Sequence, residues 1–361
     1  MKSLFLFKEI AITCSILPLL IFLLSLRGKH TLMSKKTIAF VTGGYSGEAV
    51  ISYKSAITIE NNIDTDKYNV YKIDIHPAGW WYERSGGEKV AIDKNDFSIV
   101  VDGQKITFEA VLIGIHGTPG EDGKLQGYFD MLKIPYTSCS AATSALTFNK
   151  RYTVAVAAFG GINVAKSLHI FKHSPLSAQK VAEQLRLPVF VKPNNGGSSI
   201  GMSKVTAAAE LEAALEKAFK EDDQVLVEEF IKGREFTIGV FKSGGNIITL
   251  PITEIITKKD FFDYEAKYTA GITREITPAA VDEEIAEKVR SSAKLVYQLL
   301  DCRGIVRIDF IFNEANQRPY MLEVNTVPGQ SAASLVPQQV LAMGWTLQEF
   351  YSALIEECFK Y

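Results

Sequence analysis

The stretch Gly304–Gly329, "GIVRIDFIFNEANQRPYMLEVNTVPG", decides the fold. Two apolar-rich runs flank the polar turn "NEANQ", which reads as a strand pair. In "IVRIDFIF" the alternation sets Ile308, Phe310 and Phe312 on one face and Arg307 and Asp309 on the other. In "YMLEVN" Leu322 and Val324 share a face, and Glu323 and Asn325 take the opposite one. If the apolar sets share a core, Arg307, Asp309, Glu323 and Asn325 converge on one side of the sheet. Two carboxylates and an amide oxygen make an oxygen-donor set for Mg²⁺, which takes its other ligands from water and nucleotide phosphates. The arginine beside them suits a developing oxyanion or a transferring phosphoryl group. The competing reading is a solvated polar face, and the tight Glu-x-Asn followed by "TVPG" weighs against it.

Upstream, "VKPNNGGSSIGMSKV" (Val191–Val205) has the character of a phosphate-holding loop without the Gly-Lys-Ser/Thr of the familiar one. Lys192 ends an apolar strand, so its ammonium reaches past the strand end while its stem stays buried. Gly196, Gly197 and Gly201 let backbone amides approach an anion, and Ser198 and Ser199 add hydroxyl donors. A bare glycine-rich turn is more often a hairpin; the lysine before it and the strand after it favour a flexible phosphate cover. "VLVEEFIKGREF" follows, where backbone groups near Glu229 and Ile231, after Glu228, could meet a base edge and Glu235 could accept from ribose hydroxyls. Alone, glutamates at a strand end are usually just solvated.

The 361 residues suffice for two or three domains, and 47% hydrophobic with 22% charged residues is normal for a chain with a real core. A formal net charge of −2 provides no basic field and gives no sign of nucleic acid. Cys14, Cys139, Cys302 and Cys358 form no Cys-x-x-Cys pair and read as small buried hydrophobes in a reducing compartment. Strands alternate with helices from "TIAFVTGG" onward. "YNVYKIDI" and "EAVLIGIHG" complete an open α/β sheet with glycines at strand ends, where such sheets bind ligands. The segment "GWWYERSGGEKVAIDKNDFSIVVDGQKI" reads as surface hairpins, and "SALTFNKRYTVAVAAFGG" as one helix. The expected organisation is an N-terminal α/β domain over 34–138, a central domain over 139–229 and a C-terminal domain over 230–361. Residues 1–33 hold the apolar run Ile10–Leu26, at the short edge of a membrane span and interrupted by Pro18. Because Met33 stands directly before the first strand, residues 1–32 read as an upstream extension, with a membrane anchor as the second reading.

Together, "KPNNGGSSIG", "VEEFIKGREF", "RIDFIF…LEVNTVPG" and "HGTPGEDGKLQG" resemble the D-alanine–D-alanine ligases, ATP-grasp enzymes. The resemblance runs from about Lys36 to the end and rests on several ordered motifs. It implies a three-domain α/β ATP-grasp fold, an open α/β N-terminal domain followed by two α+β domains that sandwich ATP. Lys150 in "FNKRYT", Lys192 and Lys267 match lysines at the ATP phosphates, and Glu228, Glu229, Ile231 and Glu235 match adenine and ribose contacts. Asp309, Glu323 and Asn325 match ligands of two Mg²⁺ (or Mn²⁺) ions. Arg307 and the amide of Gly329 match the groups that stabilise the tetrahedral intermediate. Ser334 and Leu335 match residues that position the second D-alanine. Tyr268 in "FDYEAKYTAG" matches the residue that closes the site and, with Ser198, orients Glu48 near the first substrate's ammonium. His116 in "GIHG" is expected to face that substrate.

One departure stands out. In "GGYSGEAVISYKSA", Val50 replaces the second of two glutamates the family carries after Gly-Gly, while Glu48 keeps the first. The reading favoured is that this position only supports the loop; the sharper one is a changed first-substrate pocket. The resemblance implies ATP-dependent joining of two D-alanines through an acylphosphate, for peptidoglycan precursors, in a cytoplasmic homodimer. The alternatives are an ATP-grasp ligase with another substrate, such as a D-Ala–D-lactate enzyme, or a nucleotide-binding module without turnover. No nucleic-acid partner is expected, and a membrane only through residues 1–32.

Overall fold

The computed structural model describes residues 34–197, 200–257 and 273–361. Ser198, Lys267, Tyr268 and the apolar N-terminal segment lie outside the described residues. Among those described, no helix is long and apolar enough to cross a membrane.

Among the described residues, three larger sheets and one separate two-stranded hairpin carry the chain. In the first, β1 (Lys36–Gly43) leads to α1 (Ala49–Glu60), then to β2 (Tyr68–His76), β3 (Gly79–Glu83), β4 (Lys89–Ala91), the small hairpin β5 (Ile99–Val101) and β6 (Gln104–Ile106), and β7 (Ala110–Ile113). The sheet order is β4-β3-β2-β1-β7. Strand β1 pairs parallel with β2 and β7, and its central residues Ile38–Val41 are wholly buried, as a strand covered on both faces requires. The supposed surface hairpins are partly sheet: β3 and β4 continue it as antiparallel strands.

Helices α2 (Lys124–Leu132), α3 (Ala141–Phe148) and α4 (Lys150–Phe159) follow. The single helix expected over Ser144–Gly161 is broken at Asn149, whose extended backbone (φ −96°, ψ 103°) ends α3 while its side chain accepts from the Tyr152 N–H. Asparagine competes with the helix for its own backbone and is better placed as a cap. The break makes Lys150 the first residue of a new helix.

The second sheet, ordered β10-β9-β11-β8, is built from β8 (Ser167–Phe171), α5 (Ala178–Gln184), β9 (Val189–Pro193), β10 (Ser203–Val205), α6 (Leu211–Ala218) and β11 (Gln224–Glu229). Val189, Val191, Val225 and Val227 pack on α5 and α6. The alternate residues, Lys192, Leu226 and Glu228 among them, therefore share the other face.

The third sheet contains β12 (Arg234–Ser243), β13 (Asn246–Thr249), β14 (Thr253–Thr257), β15 (Thr273–Ile276), then α7 (Glu283–Leu299), β16 (Val306–Asn313) and β17 (Arg318–Asn325). Helix α7 buries Ala286, Val289, Ala293 and Val296 against Phe236, Ile308, Phe310 and Phe312. Helices α8 (Leu335–Ala342) and α9 (Leu347–Cys358) complete the chain. Their Val336, Val340, Phe350 and Leu354 share one core with Ile38 and Phe40 of β1, Ile59 of α1 and Phe241 of β12. That shared core joins the first and third sheets and fixes what stands between them.

Candidate active site

Strands β16 and β17 pair as the alternation predicts, with Arg307 opposite Asn325 and Asp309 opposite Glu323. Beyond Asp309 the register shifts, and Phe310 faces Met321. Leu322 is the extra residue of a β-bulge, so Met321 rather than Leu322 joins Val324 in the core. The bulge releases Glu323 from strict alternation at a point where the polar face needs it. Arg307 donates through Nε and Nη2 to both oxygens of Asp309, at 3.0 and 2.9 Å, and its Nη2 lies 3.9 Å from Glu323 Oε1. Thr237 Oγ1 and Asn325 Nδ2 also donate to Asp309, at 2.5 and 3.3 Å. Burial opposes the Arg307 charge, but Asp309, Glu323 and Glu121 outweigh it and hold the guanidinium well above its ordinary range.

The donor set fits a hard divalent cation. Asp309 and Glu323 are cross-strand neighbours on one face with Asn325 two residues on, and all three offer oxygens. Among the described residues there is no cluster of three or more His, Cys, Asp or Glu side chains set to hold a metal; this set contains two carboxylates and an amide.

The loop after β17 is held by residues of the first sheet. His116 Nδ1 donates to the Val327 carbonyl at 2.7 Å, which makes Nε2 the acceptor for the Ser55 hydroxyl at 2.9 Å. The Gln330 N–H donates to that same Ser55 Oγ at 3.1 Å, and the His116 N–H to Ser52 Oγ at 2.9 Å. His116 is buried, and burial pushes its imidazole down to about 4, with the Arg307 charge adding to the shift against the Val327 bond. Both ring nitrogens thus serve the protein itself.

Glu121, which sequence reasoning did not single out, is the second clamp. It accepts from the Gly117 N–H at 2.6 Å and the Val327 N–H at 3.2 Å. Burial, first, and the charge of Glu48 push it up to about 8, against those two bonds and Arg307. Only its place inside the quoted "HGTPGEDG" motif could have drawn attention to it.

Glu48 stands just before α1, with its carboxylate between two glycines. A Cβ on Gly117 would lie 2.5 Å from Glu48 Oε2, and one on Gly197 would lie 2.6 Å from Oε1. The glycine-rich loop therefore rests against Glu48. Val50 is 58% exposed on α1, in line with exposed Tyr53 and Ile57 at helical spacing. The missing glutamate thus corresponds to a solvent-facing position.

On the second sheet Lys192 is ion-paired with Glu228 across the face turned from α5 and α6. Lys150 Nζ donates to the Gly196 carbonyl at 2.6 Å. Phe190, opposite Glu228, meets Phe230 with ring centroids 6.0 Å apart, an aromatic pair that sequence reasoning passed over. Glu229 turns elsewhere and accepts from the Arg186 N–H at 2.9 Å. Ile231 is partly buried just beyond β11. Glu235 lies on the Asp309 side of the third sheet, opposite Ile311. Ser334 stands at the start of α8 with its hydroxyl bonded to Ser331 at 2.8 Å rather than capping, and a Cβ on Gly329 would come within 2.8 Å of it. Leu335 opens the helix.

Family models cover nearly all of this framework. The one described as "D-ala D-ala ligase N-terminus" matches residues 37–139, and "D-ala D-ala ligase C-terminus" matches residues 150–356. The chain belongs to the D-alanine–D-alanine ligase family. It is 44% identical over 321 residues to the D-alanine–D-alanine ligase of Flavobacterium johnsoniae, covering 89% of this chain and 98% of that protein. The VanG D-Ala:D-Ser ligase of Enterococcus faecalis superposes with a TM-score of 0.80 at 30% identity, covering 90% of this chain and 99% of the other. A Bacillus anthracis D-alanine–D-alanine ligase complexed with ATP superposes at 0.72 and 27% identity, over 90% and 98% of the two chains. Like other D-alanine–D-alanine ligases, then, the chain has an ATP-grasp framework, a mixed α/β fold built on several sheets.

Proposed function

We propose that this protein joins two D-alanines with conversion of ATP to ADP and phosphate. One observation carries the reading: Arg307, Asp309, Glu323 and Asn325 share a face, and the loop leaving that face is clamped by His116 and Glu121 beside Glu48. In the reaction, a carboxylate oxygen of the first D-alanine attacks the γ-phosphorus, giving an acylphosphate and ADP. The neutral amine of the second D-alanine then attacks the acyl carbon, loses its proton and expels phosphate.

Glu48 holds the first ammonium, and Arg307 with the Gly329 N–H receives the negative charge that develops on the carbonyl oxygen. Lys150 and Lys192 take the phosphate chain, Lys192 leaving Glu228 to do so. Glu228, Ile231 and Glu235 border the nucleoside, with the Phe190–Phe230 pair beside them for a planar base. Glu229 contributes through its backbone, because its side chain is already engaged by Arg186. Ser334 and Leu335, at a helix N-terminus, suit the carboxylate of the second D-alanine. His116 acts as a positioning residue, through the loop it fixes. Asp309, Glu323 and Asn325 would hold Mg²⁺ or Mn²⁺, two ions by resemblance, which supply charge neutralisation at the phosphates. Ser198, Tyr268 and Lys267 keep the orienting, closing and phosphate roles the resemblance implies. The expected setting is a cytoplasmic homodimer that feeds peptidoglycan precursors.

The purified chain should release phosphate from ATP only when D-alanine and Mg²⁺ are both present. Phosphate release indifferent to D-alanine would sink the assignment, and faster release with D-alanine plus D-serine or D-lactate would move the second substrate. A second result follows from Gly197. Alanine there adds a methyl whose nearest neighbour is the movable end of Glu48, so the fold should lose under about 1 kcal/mol. The displaced carboxylate should raise the KM for the first D-alanine about tenfold, the worth of one charge-assisted contact. An unchanged KM would mean Glu48 does not hold the ammonium.

A further inference from the structure

The inner face of the second sheet carries a polar group that none of the roles above uses. Strand pairing puts His169 opposite Leu226 and Phe171 opposite Gln224, while Leu226 also faces Lys192. Gln224 and His169 therefore lie on the same face as Lys192 and Glu228. Asn194 follows β9 directly, and its N–H donates to the Gln224 carbonyl at 2.9 Å. Arg151 arrives from α4: its N–H donates to Asn194 Oδ1 at 2.9 Å, and its guanidinium carbon stands 5.1 Å from the Phe171 ring centroid.

Arg151 Nε, His169 Nε2, Asn194 Nδ2 and Gln224 Oε1 are all buried and have no hydrogen-bond partner. They are four of the seven such side-chain atoms among the described residues, on residues linked by the strand register and by the Arg151–Asn194 and Asn194–Gln224 bonds. Asn194 is only 1% exposed. A buried polar atom left unpaired is destabilising, so four together call for a ligand that pairs them. The charges that act on His169 are Arg151 on α4 and Glu228 on β11; Lys192 stands beyond Leu226 on the same face, ion-paired with Glu228. Arg151 and Asn194 offer N–H donors, His169 Nε2 donates in one tautomer and when protonated, and a half-turn of the Gln224 amide exchanges its oxygen for Nε2. This chemistry selects an oxyanion. Lys150, next to Arg151 in the chain, and Lys192 on the same face lead to it.

We propose that Arg151, His169 and Asn194 form a second row of donors for the phosphate oxygens of the nucleotide, beside Lys150 and Lys192. The assignment rests on the ATP reading above and adds residues to it. In the free protein burial, first, and the Arg151 charge hold His169 below its ordinary range against the pull of Glu228. A phosphate beside it favours the imidazolium, so nucleotide binding takes up a proton there.

Titration calorimetry with ATP, ADP and adenosine tests this on the parent chain, Arg151→Met and His169→Leu. Methionine keeps an apolar stem over Phe171. Arg151→Met should weaken ATP and ADP about tenfold and leave adenosine unchanged. The parent should gain ATP affinity between pH 8 and pH 6, and His169→Leu should weaken ATP and abolish that gain. Unchanged ATP affinity in both variants, or an equal loss for adenosine, overturns the proposal. Inorganic phosphate that binds together with ATP and is lost in the variants would also overturn it, since the oxyanion would then be a separate one. If Arg151→Met does not fold, His169→Leu and the charge-keeping Arg151→Lys decide. A parent chain that binds no ATP refutes the ATP reading instead.

Discussion

Asp309→Asn should cut D-alanine-dependent phosphate release about 10³-fold, with the ATP, D-alanine and Mg²⁺ concentrations all saturating for the parent. Asp309 is the centre of the polar face: Arg307, Thr237 and Asn325 all donate to it. Its side chain is only 13% exposed and that of Arg307 20%, so the pair is poorly screened. Asparagine keeps the volume, removes the charge and puts an amide NH2 where one oxygen accepted from two donors. The guanidinium then loses its main counter-charge, and stability should fall by about 1–3 kcal/mol in denaturant unfolding. Any cation held with Glu323 and Asn325 loses one of its two carboxylates. Turnover within tenfold of the parent would mean the face is not where the phosphoryl group is transferred.

Acidification from pH 6.5 to pH 4 should destabilise the protein through His116 by about 3 kcal/mol. The unfolded chain binds a proton there below about 6.5, whereas burial holds the native imidazole neutral down to about 4. Above pH 6.5 both states are neutral and the residue contributes no slope; below 4 both are charged and the slope ends. His116→Gln should be less stable than the parent at pH 7, because the bonds to Val327 and Ser55 are disturbed, and the difference should close or reverse by pH 4. A difference constant across that range would show that His116 is not buried neutral. The same variant should lower turnover through the displaced Val327–Gln330 loop.

Much of the site could be read along the chain because its signals are local. The two-residue period of "RIDFIF" sorts Arg307 and Asp309 from Ile308 and Phe310, and the observed burial follows it. The period failed at Leu322, since a bulge is a property of two strands compared and neither strand announces it alone. It failed again at Asn149, where a favourable helical run hid a cap whose effect depends on backbone angles. Glu121 escaped notice for a related reason. A glutamate in a glycine-rich loop is usually solvated, and only the approach of Val327, 206 residues later, gives it a second bond. Phe190 and Phe230, and the group around Arg151 and His169, are likewise pairings across strands or between helix and sheet.

The sequence by itself determined the succession of α/β units, the polar face of the last strand pair and the glycine loop after Lys192. Periodicity and backbone permissiveness are written residue by residue, so these needed no partner to be seen. The tertiary structure alone decided that Glu48 rests between Gly117 and Gly197, that His116 is a buried bridge and that Val50 stands at the surface. Those outcomes depend on which surfaces are buried together. The apolar core shared by β1, α1, β12, α8 and α9 brings the first and third sheets into contact, and desolvation at that contact sets the protonation of His116 and Glu121.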